Sequence, residues 1–439
     1  MSASSQTAPA VDAPPQWSLA TRAAFRFCFV YFLLFCLSTQ ILGGLFPIPK
    51  VDIPALGEIT PVRQIVLWTA THVFRAGKPP IYNETGSGDR TFDWVLQFCV
   101  LVAAAPATVI WQLLERRRTN HATLYKWFRL FIRFALASQM LVYGMVKAVP
   151  LQMPYPFLAQ LLEPFGSFSP MGVLWSSIGA SPGYEIFAGC AEMLGGILLI
   201  IPRTTTFGAL VCLADLTQVF VLNMTYDVPV KLFSFHLILL AVFLLAPDLP
   251  RLAGFFLLRR ETRLSTEPPL FGTRRANRTA LAAQIVFGIL LIAGNAYGAW
   301  DSWHKYGAGR PKPELYGIWN VEQMSIDGQV RPPLLTDRER WRRAIFDFPG
   351  SMAFERLDNT LEYYGAALDS KSKTLTLTKG NDKKWKSVLA FQRPSKDQLA
   401  LEGDWNGHKV QMQFRLVDSG KFMLQSRGFH WIAEYPFNR

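Results

Sequence analysis

Lys147, Glu192 and Asp215 each stand inside a separate apolar run of the chain. A bilayer penalises charge at that depth, so acids and bases retained there point to a functional site. Glu192 follows Glu185 by seven residues, which sets both on one helix face about two turns apart. Glu185 falls near the end of its run, where a carboxylate is cheap. Glu192 is deeper and must pair with a cation or hold a proton, because burial disfavours the charged form. Lys147 lies about 21 Å of helix rise from Arg133, so plain snorkelling of the two cations to opposite surfaces is the bland alternative. Asn223, Tyr226, Asp227, Lys231 and His236 gather around the junction of two later runs, where Asp227 and Lys231 can simply close a turn. Tyr143 stands one turn before Lys147. The expectation is one outward-facing polar pocket, with Lys147 and Glu192 as its catalytic pair. Tyr143, Glu185, Asp215, Asn223, Tyr226, Asp227, Lys231 and His236 are the candidate ligand-binding groups. No HExxH, no paired histidine with a carboxylate one turn away and no Gly-rich phosphate loop occurs. Neither a metal nor a nucleotide is expected.

The elements that must position these residues are membrane helices. The chain has 439 residues, half of them hydrophobic, enough for more than one domain. Seven runs approach the roughly 20 residues that cross a bilayer: 23–46, 92–114, 125–148, 182–201, 204–224, 231–246 and 279–300. Residues 61–76 are too short and too charged to span and read as an interfacial helix. Residues 1–22, rich in Ala, Ser and Pro, read as a disordered tail. The net charge of +13 does not argue for nucleic acid, because the excess is concentrated in short loops beside the apolar runs. Three such loops, around 116–129, at Arg203 and over 251–278, share one side, whereas 149–182 has no Lys or Arg. The positive-inside rule makes the basic side cytoplasmic. The expectation is a multi-pass plasma (inner) membrane protein, with its N-terminus inside and everything after Trp300 outside. All five cysteines fall in apolar runs, without a CxxC pair. They read as small buried hydrophobes rather than a disulfide framework.

Past a linker over 301–313 the period changes from helical to two. Leu375 and Leu377, then Ser387, Leu389 and Phe391, then Val410, Met412, Phe414 and Leu416 alternate with polar residues, as half-buried strands do. Turn pairs recur at Asp327-Gly328, Pro349-Gly350, Asp358-Asn359, Gly380-Asn381 and Asn406-Gly407, the last a strong hairpin signal. Residues 314–439 therefore read as an all-β domain, an up-and-down barrel or a sandwich. The fold class expected for the whole chain is an α-helical polytopic membrane bundle followed by an extracytoplasmic β-domain. Gly317-Ile-Trp319 resembles the G-x-W opening of lipocalins, which implies a lipocalin-like barrel.

Arg133, Gly144 and Lys147 resemble the opening R…GxxK helix of the DoxX family of small four-span membrane proteins. Ala188-Gly189, Glu192, Gly195-Gly196 and Arg203 are similar to that family's E-x-x-G-G helix and following turn. The likeness covers about 125–250. It implies a four-helix bundle, a redox association and a quinone as cofactor. A more distant likeness is to vitamin-K-dependent carboxylases, whose G-x-x-K helix Tyr143-Gly144-Met-Val-Lys147 resembles; that would make Lys147 a base beside a hydroquinone.

Three functions compete. A quinone-linked component would need a membrane or extracytoplasmic redox partner. A non-enzymatic lipid-binding or assembly protein would use the β-domain for capture and the bundle as anchor. A transporter is disfavoured, since no inverted repeat or broken helix pair is evident. The lipid bilayer is the partner common to all three.

Overall fold

The computed structural model describes residues 16–83, 85–261 and 269–438. These divide into two compact units, one of residues 1–149 and 186–300 and the other of 150–185 and 301–439. The expected division was contiguous, with the whole of 23–300 as one domain. Instead the long loop between the third and fourth spans groups with the β-domain.

The first unit is helical. Its elements are α1 (Leu19–Ser38), α2 (Ile41–Gly44), α3 (Val62–His72), α4 (Thr91–Leu114) and α5 (Ala122–Ala148). After α6 (Pro170–Gly179), which belongs to the second unit, come α7 (Pro182–Ile200), α8 (Thr205–Thr225), α9 (Lys231–Leu245), α10 (Leu249–Phe256) and α11 (Arg274–Lys305). Seven of these are long and apolar enough to cross a membrane. The tail expected over 1–22 lies outside the described residues up to 15, and from Leu19 onward the chain is already helical, with the Ser18 hydroxyl accepting from Thr21 N at 3.0 Å. The first span ends at Ser38 instead of Phe46. There the Ser38 and Thr39 hydroxyls both bond back to Phe35 O, at 3.4 and 2.9 Å, and Thr39 turns extended. Side chains of this kind compete with the helix's own ladder.

α5 is the centre of the bundle. Of its apolar stretch 72% is buried, against 17% for α11. Close approach to α7 depends on glycine: a Cβ on Gly144 would lie 2.8 Å from Gly189 O, and one on Gly189 would lie 2.5 Å from Gly144 O. The expected notch at Ala191 and Gly195 serves another neighbour, since Gly195 faces Cys212 on α8. α3 sets Val66 and Ala70 against α4 and leaves Ile65 and Trp68 exposed.

The second unit is built on an antiparallel sheet. Its strands are β1 (Gly317–Ile326), β2 (Gln329–Val330), β3 (Trp341–Phe346), β4 (Ser351–Arg356), β5 (Leu361–Asp369), β6 (Thr374–Lys379), β7 (Asp382–Ser395), β8 (Gln398–Trp405) and β9 (His408–Leu416). Eight of them close into a barrel through the pairing of β1 with β9, and β2 is a short flap on β1. Closure removes the unpaired edges that a flat sheet would expose. The alternation read from the sequence points the same residues inward: Leu375, Leu377, Leu389, Phe391, Val410, Met412 and Phe414 are all buried. Asn406 and Gly407 both take positive φ, 54° and 85°, as the tight hairpin between β8 and β9 requires. Trp319 is fully buried near the start of β1 and donates to Leu315 O at 2.8 Å, with the Arg393 guanidinium 5.6 Å from its ring. The α5–α7 loop docks at this same end. Leu158 packs with Ile318 and Ile345, Leu158 N donates to Asp347 Oδ2 at 2.7 Å, and Arg310 pairs with Asp347 at 2.6 Å.

Candidate functional site in the helical bundle

Lys147 and Glu192 meet. Nζ lies 2.9 Å from Glu192 Oε2, and both side chains are about nine-tenths buried. The Gly144/Gly189 contact makes the pair possible, because it brings the α5 and α7 backbones close one turn from each partner. Snorkelling is therefore not how Lys147 is accommodated. Arg133 does not snorkel either: its guanidinium donates to Leu199 O and Ile200 O at 2.9–3.0 Å and so caps the C-terminal end of α7. Asp215 Oδ2 on α8 is buried with no hydrogen-bond partner among the described residues. The Lys147–Glu192 pair thus holds one carboxylate and one ammonium.

Tyr143 links this pair to a cleft. Its ring centroid is 5.7 Å from Lys147 Nζ, and its backbone carbonyl accepts from the same ammonium at 3.5 Å. Its hydroxyl accepts from Gln40 Nε2 at 2.7 Å, and Gln40 also donates to Gln139 Oε1 at 3.2 Å. Tyr143 and Gln40 line a cleft of about 320 Å³, with Phe35, Phe92, Leu96 and Phe233 as apolar walls. Gln97 lines it too and heads a second polar chain. It donates to Tyr31 OH at 2.6 Å, Tyr31 OH lies 2.8 Å from His236 Nε2, and His236 Nδ1 lies 2.7 Å from Leu232 O. His236 stacks on Phe35 with centroids 4.4 Å apart.

Other candidates do local structural work. Asn223 donates to Ser234 Oγ at 3.0 Å and ties α8 to α9, and Tyr226 ends α8. Lys231 pairs with Asp227 at 2.8 Å and lies 3.8 Å from Asp89. Asp89 caps α9 by accepting from Lys231 N and Leu232 N, each at 2.9 Å. Such an anion at a helix N-terminus is favoured by both the free N–H groups and the dipole. Glu185 is fully buried rather than cheaply exposed, and within the second unit it accepts from Met153 N at 2.8 Å. Sequence reasoning missed Gln40, Gln97, Tyr31 and Asp89. For Gln97 and Tyr31 the signal was available, since polar groups within an apolar span must find partners just as Glu192 must.

The fold defines a multi-pass helical membrane protein that carries a closed antiparallel β-barrel. The chain is 29% identical over 138 residues to the uncharacterized protein YwoB of Bacillus subtilis (strain 168), a match covering 29% of this chain and 79% of that protein. No family model matches the chain, and no solved structure matches it.

Proposed function

We propose that the bundle binds a quinone-like ring in the Tyr143/Gln97 cleft and serves as a redox-associated component of the plasma membrane. One observation carries this reading: two independent hydrogen-bonding groups, Tyr143 with Gln40 and Gln97 with Tyr31, converge on one aromatic-walled cleft among membrane-spanning helices. A ring with carbonyls at opposite edges needs such a pair of polar contacts and flat apolar walls. Lys147, 5.7 Å from the Tyr143 ring centroid and paired with Glu192, helps to hold that wall in place. The resemblance of Arg133, Gly144, Lys147 and Glu192 to the DoxX pattern supports the same class of chemistry. The basic loops support a cytoplasmic N-terminus. The α5–α7 loop folds with the barrel in one unit, which requires both on one side of the membrane, and on this reading that side is extracytoplasmic.

Extraction into polymer-bounded nanodiscs followed by mass spectrometry of bound small molecules tests the proposal. A quinone should be retained, and Gln40→Leu and Tyr143→Phe should each weaken ubiquinone-1 binding at least fivefold. Wild-type protein that retains no quinone and binds no ubiquinone-1 sinks the reading. Labelling of Ser370→Cys by an impermeant thiol reagent in intact cells checks the orientation; labelling only after lysis reverses it.

A further inference from the structure

We propose that the groove between α5 and α11 seats an acyl chain of an anionic phospholipid, whose headgroup is held by Lys126 and Arg275. The groove encloses about 590 Å³, within the roughly 300–1,000 Å³ of small-molecule sites. Both of its walls are helices long and apolar enough to span a membrane, so its occupant lies at the depth of lipid tails.

Contrasting side-chain bulk makes the groove. α5 contributes Trp127, Leu130 and Phe134, and α11 faces them with Ala276, Ala280 and Ala283. Residues three and four apart share one helix face, so the alanines leave a continuous slot. Aromatic pairs bound it at both ends: Trp127 meets Phe271 edge-on with centroids 5.6 Å apart, and Phe134 meets Phe287 at 5.1 Å. From Trp127 to Phe134 is about 10 Å of helix rise, two-thirds of the roughly 15 Å hydrocarbon depth of one leaflet. The polar side chains in the lining, Thr279 and Gln284, donate to Arg275 O and Ala280 O of their own helix, which leaves the slot apolar.

The head end is basic and open. Trp127 and Phe271 are both about four-tenths exposed. The segment that ends in Phe271 is tied down by Lys126, whose Nζ donates to Pro269 O at 3.0 Å. Asn277 fixes the same segment by accepting from Phe271 N at 3.1 Å and donating to Phe271 O at 2.7 Å. An ammonium carries three donors, so Lys126 has others to offer. Arg275 is exposed in the first turn of α11, which contains no acidic residue, and it directly precedes Ala276 of the slot. Neither Lys126 nor Arg275 pairs with a carboxylate among the described residues. Two cations without counterions at the head of an apolar slot complement a phosphodiester that carries acyl chains. The phosphate gains charge-assisted hydrogen bonds, and basic pockets between membrane helices suit anionic headgroups. A zwitterionic lipid brings its own cation and gains less.

Native mass spectrometry of the full-length protein, released from nanodiscs of equal phosphatidylglycerol and phosphatidylcholine, tests this. Phosphatidylglycerol should be retained at least tenfold over phosphatidylcholine. Lys126→Gln and Arg275→Gln should each lower that preference about fivefold, Arg275→Lys should stay within about twofold, and the double Gln variant should retain the two lipids equally. Ala283→Trp, which fills the slot, should lower retention of both lipids at least fivefold. Glycerol 3-phosphate, a headgroup without chains, should displace nothing. The proposal fails if wild type retains both lipids equally, if the double variant keeps the wild-type preference, or if Ala283→Trp retains lipid like wild type. Displacement by glycerol 3-phosphate also overturns it, as does a lipid-free dimer, which would give the groove to a second copy. Should Ala283→Trp lose its thermal transition, Ala280→Leu carries the slot test by itself.

Discussion

The bundle and the barrel are built inside out with respect to each other. In the bundle the charges are interior: Lys147, Glu192 and Arg133 are buried, while Phe187, Leu194 and Ile289 are exposed. In the barrel the interior is Trp319, Phe354 and Phe414, and the surface carries Arg415, Lys409 and Glu322. Solvent explains the contrast. Hydrocarbon gives no reward for burying a leucine, so helices in it associate through close packing and polar pairing. Water rewards apolar burial at about 25 cal/mol per Å², so the barrel closes around its aromatics. In the bundle a buried acid and base pair between helices, whereas many of the barrel's charges pair at its surface.

The strongest way to test this contrast is to remove one charge from the bundle core. Glu192→Leu leaves Lys147 buried without its partner and should destabilise the bundle by about 3–5 kcal/mol. The Lys147→Leu/Glu192→Leu double variant should lose clearly less than the sum of the single losses, because each single change strands the other charge. Thermal unfolding of nanodisc-embedded protein measures both, and strict additivity would mean the pair is not coupled.

Next in size is the glycine contact. A Cβ on Gly189 would lie 2.3 Å from Ala148 N and 2.5 Å from Gly144 O, both backbone atoms that cannot rotate away. Gly189→Ala should therefore cost about 1–3 kcal/mol, as overpacking does, and should also weaken the Lys147–Glu192 pair. The same substitution at Gly380 in the barrel, where an added Cβ meets nothing within 4 Å, should change stability by less than about 0.5 kcal/mol. Equal losses at the two positions would break the comparison.

Within the barrel, Gly407→Ala forces a side chain into φ 85° and should lower stability by roughly 1–2 kcal/mol without altering the helical unit. Chemical denaturation followed by near-ultraviolet dichroism reads it.

The smallest effect is electrostatic and at the surface. His408 Nδ1 lies 2.7 Å from Asp327 Oδ2. The hydrogen bond, then the carboxylate's charge, raises the His408 pKa above the ordinary histidine value, and the bond to His408 lowers that of Asp327. The His408 contribution is complete below the unfolded imidazole pKa and is lost as pH rises through the folded one. The Asp327 contribution is present above the unfolded carboxylate pKa and is lost as pH falls through the folded one. Histidine-selective NMR should find His408 titrating late in wild type and at an ordinary pH in Asp327→Asn; identical titrations would remove the pair from the account.

Composition and periodicity were enough to establish seven spans, a β-domain and the inward face of its strands, because each follows from a repeat along the chain: about twenty apolar residues for a bilayer, alternate residues for a sheet. The depth of Glu192 in its span likewise required a cation or a proton, whatever the fold. The choice of partner was not local. It was decided by Gly144 and Gly189, whose missing side chains let α5 and α7 approach, and nothing in the spacing distinguished them from Gly195, which faces α8. Tertiary structure also decided that the loop over 150–185 folds with the barrel, since Asp347 and Ile318 receive it from far along the chain. It decided as well that Gln40, Gln97 and Tyr143 share one cleft. Periodicity reports which face a residue occupies; which distant faces come together depends on shape complementarity between elements, and that exists only once the chain has folded.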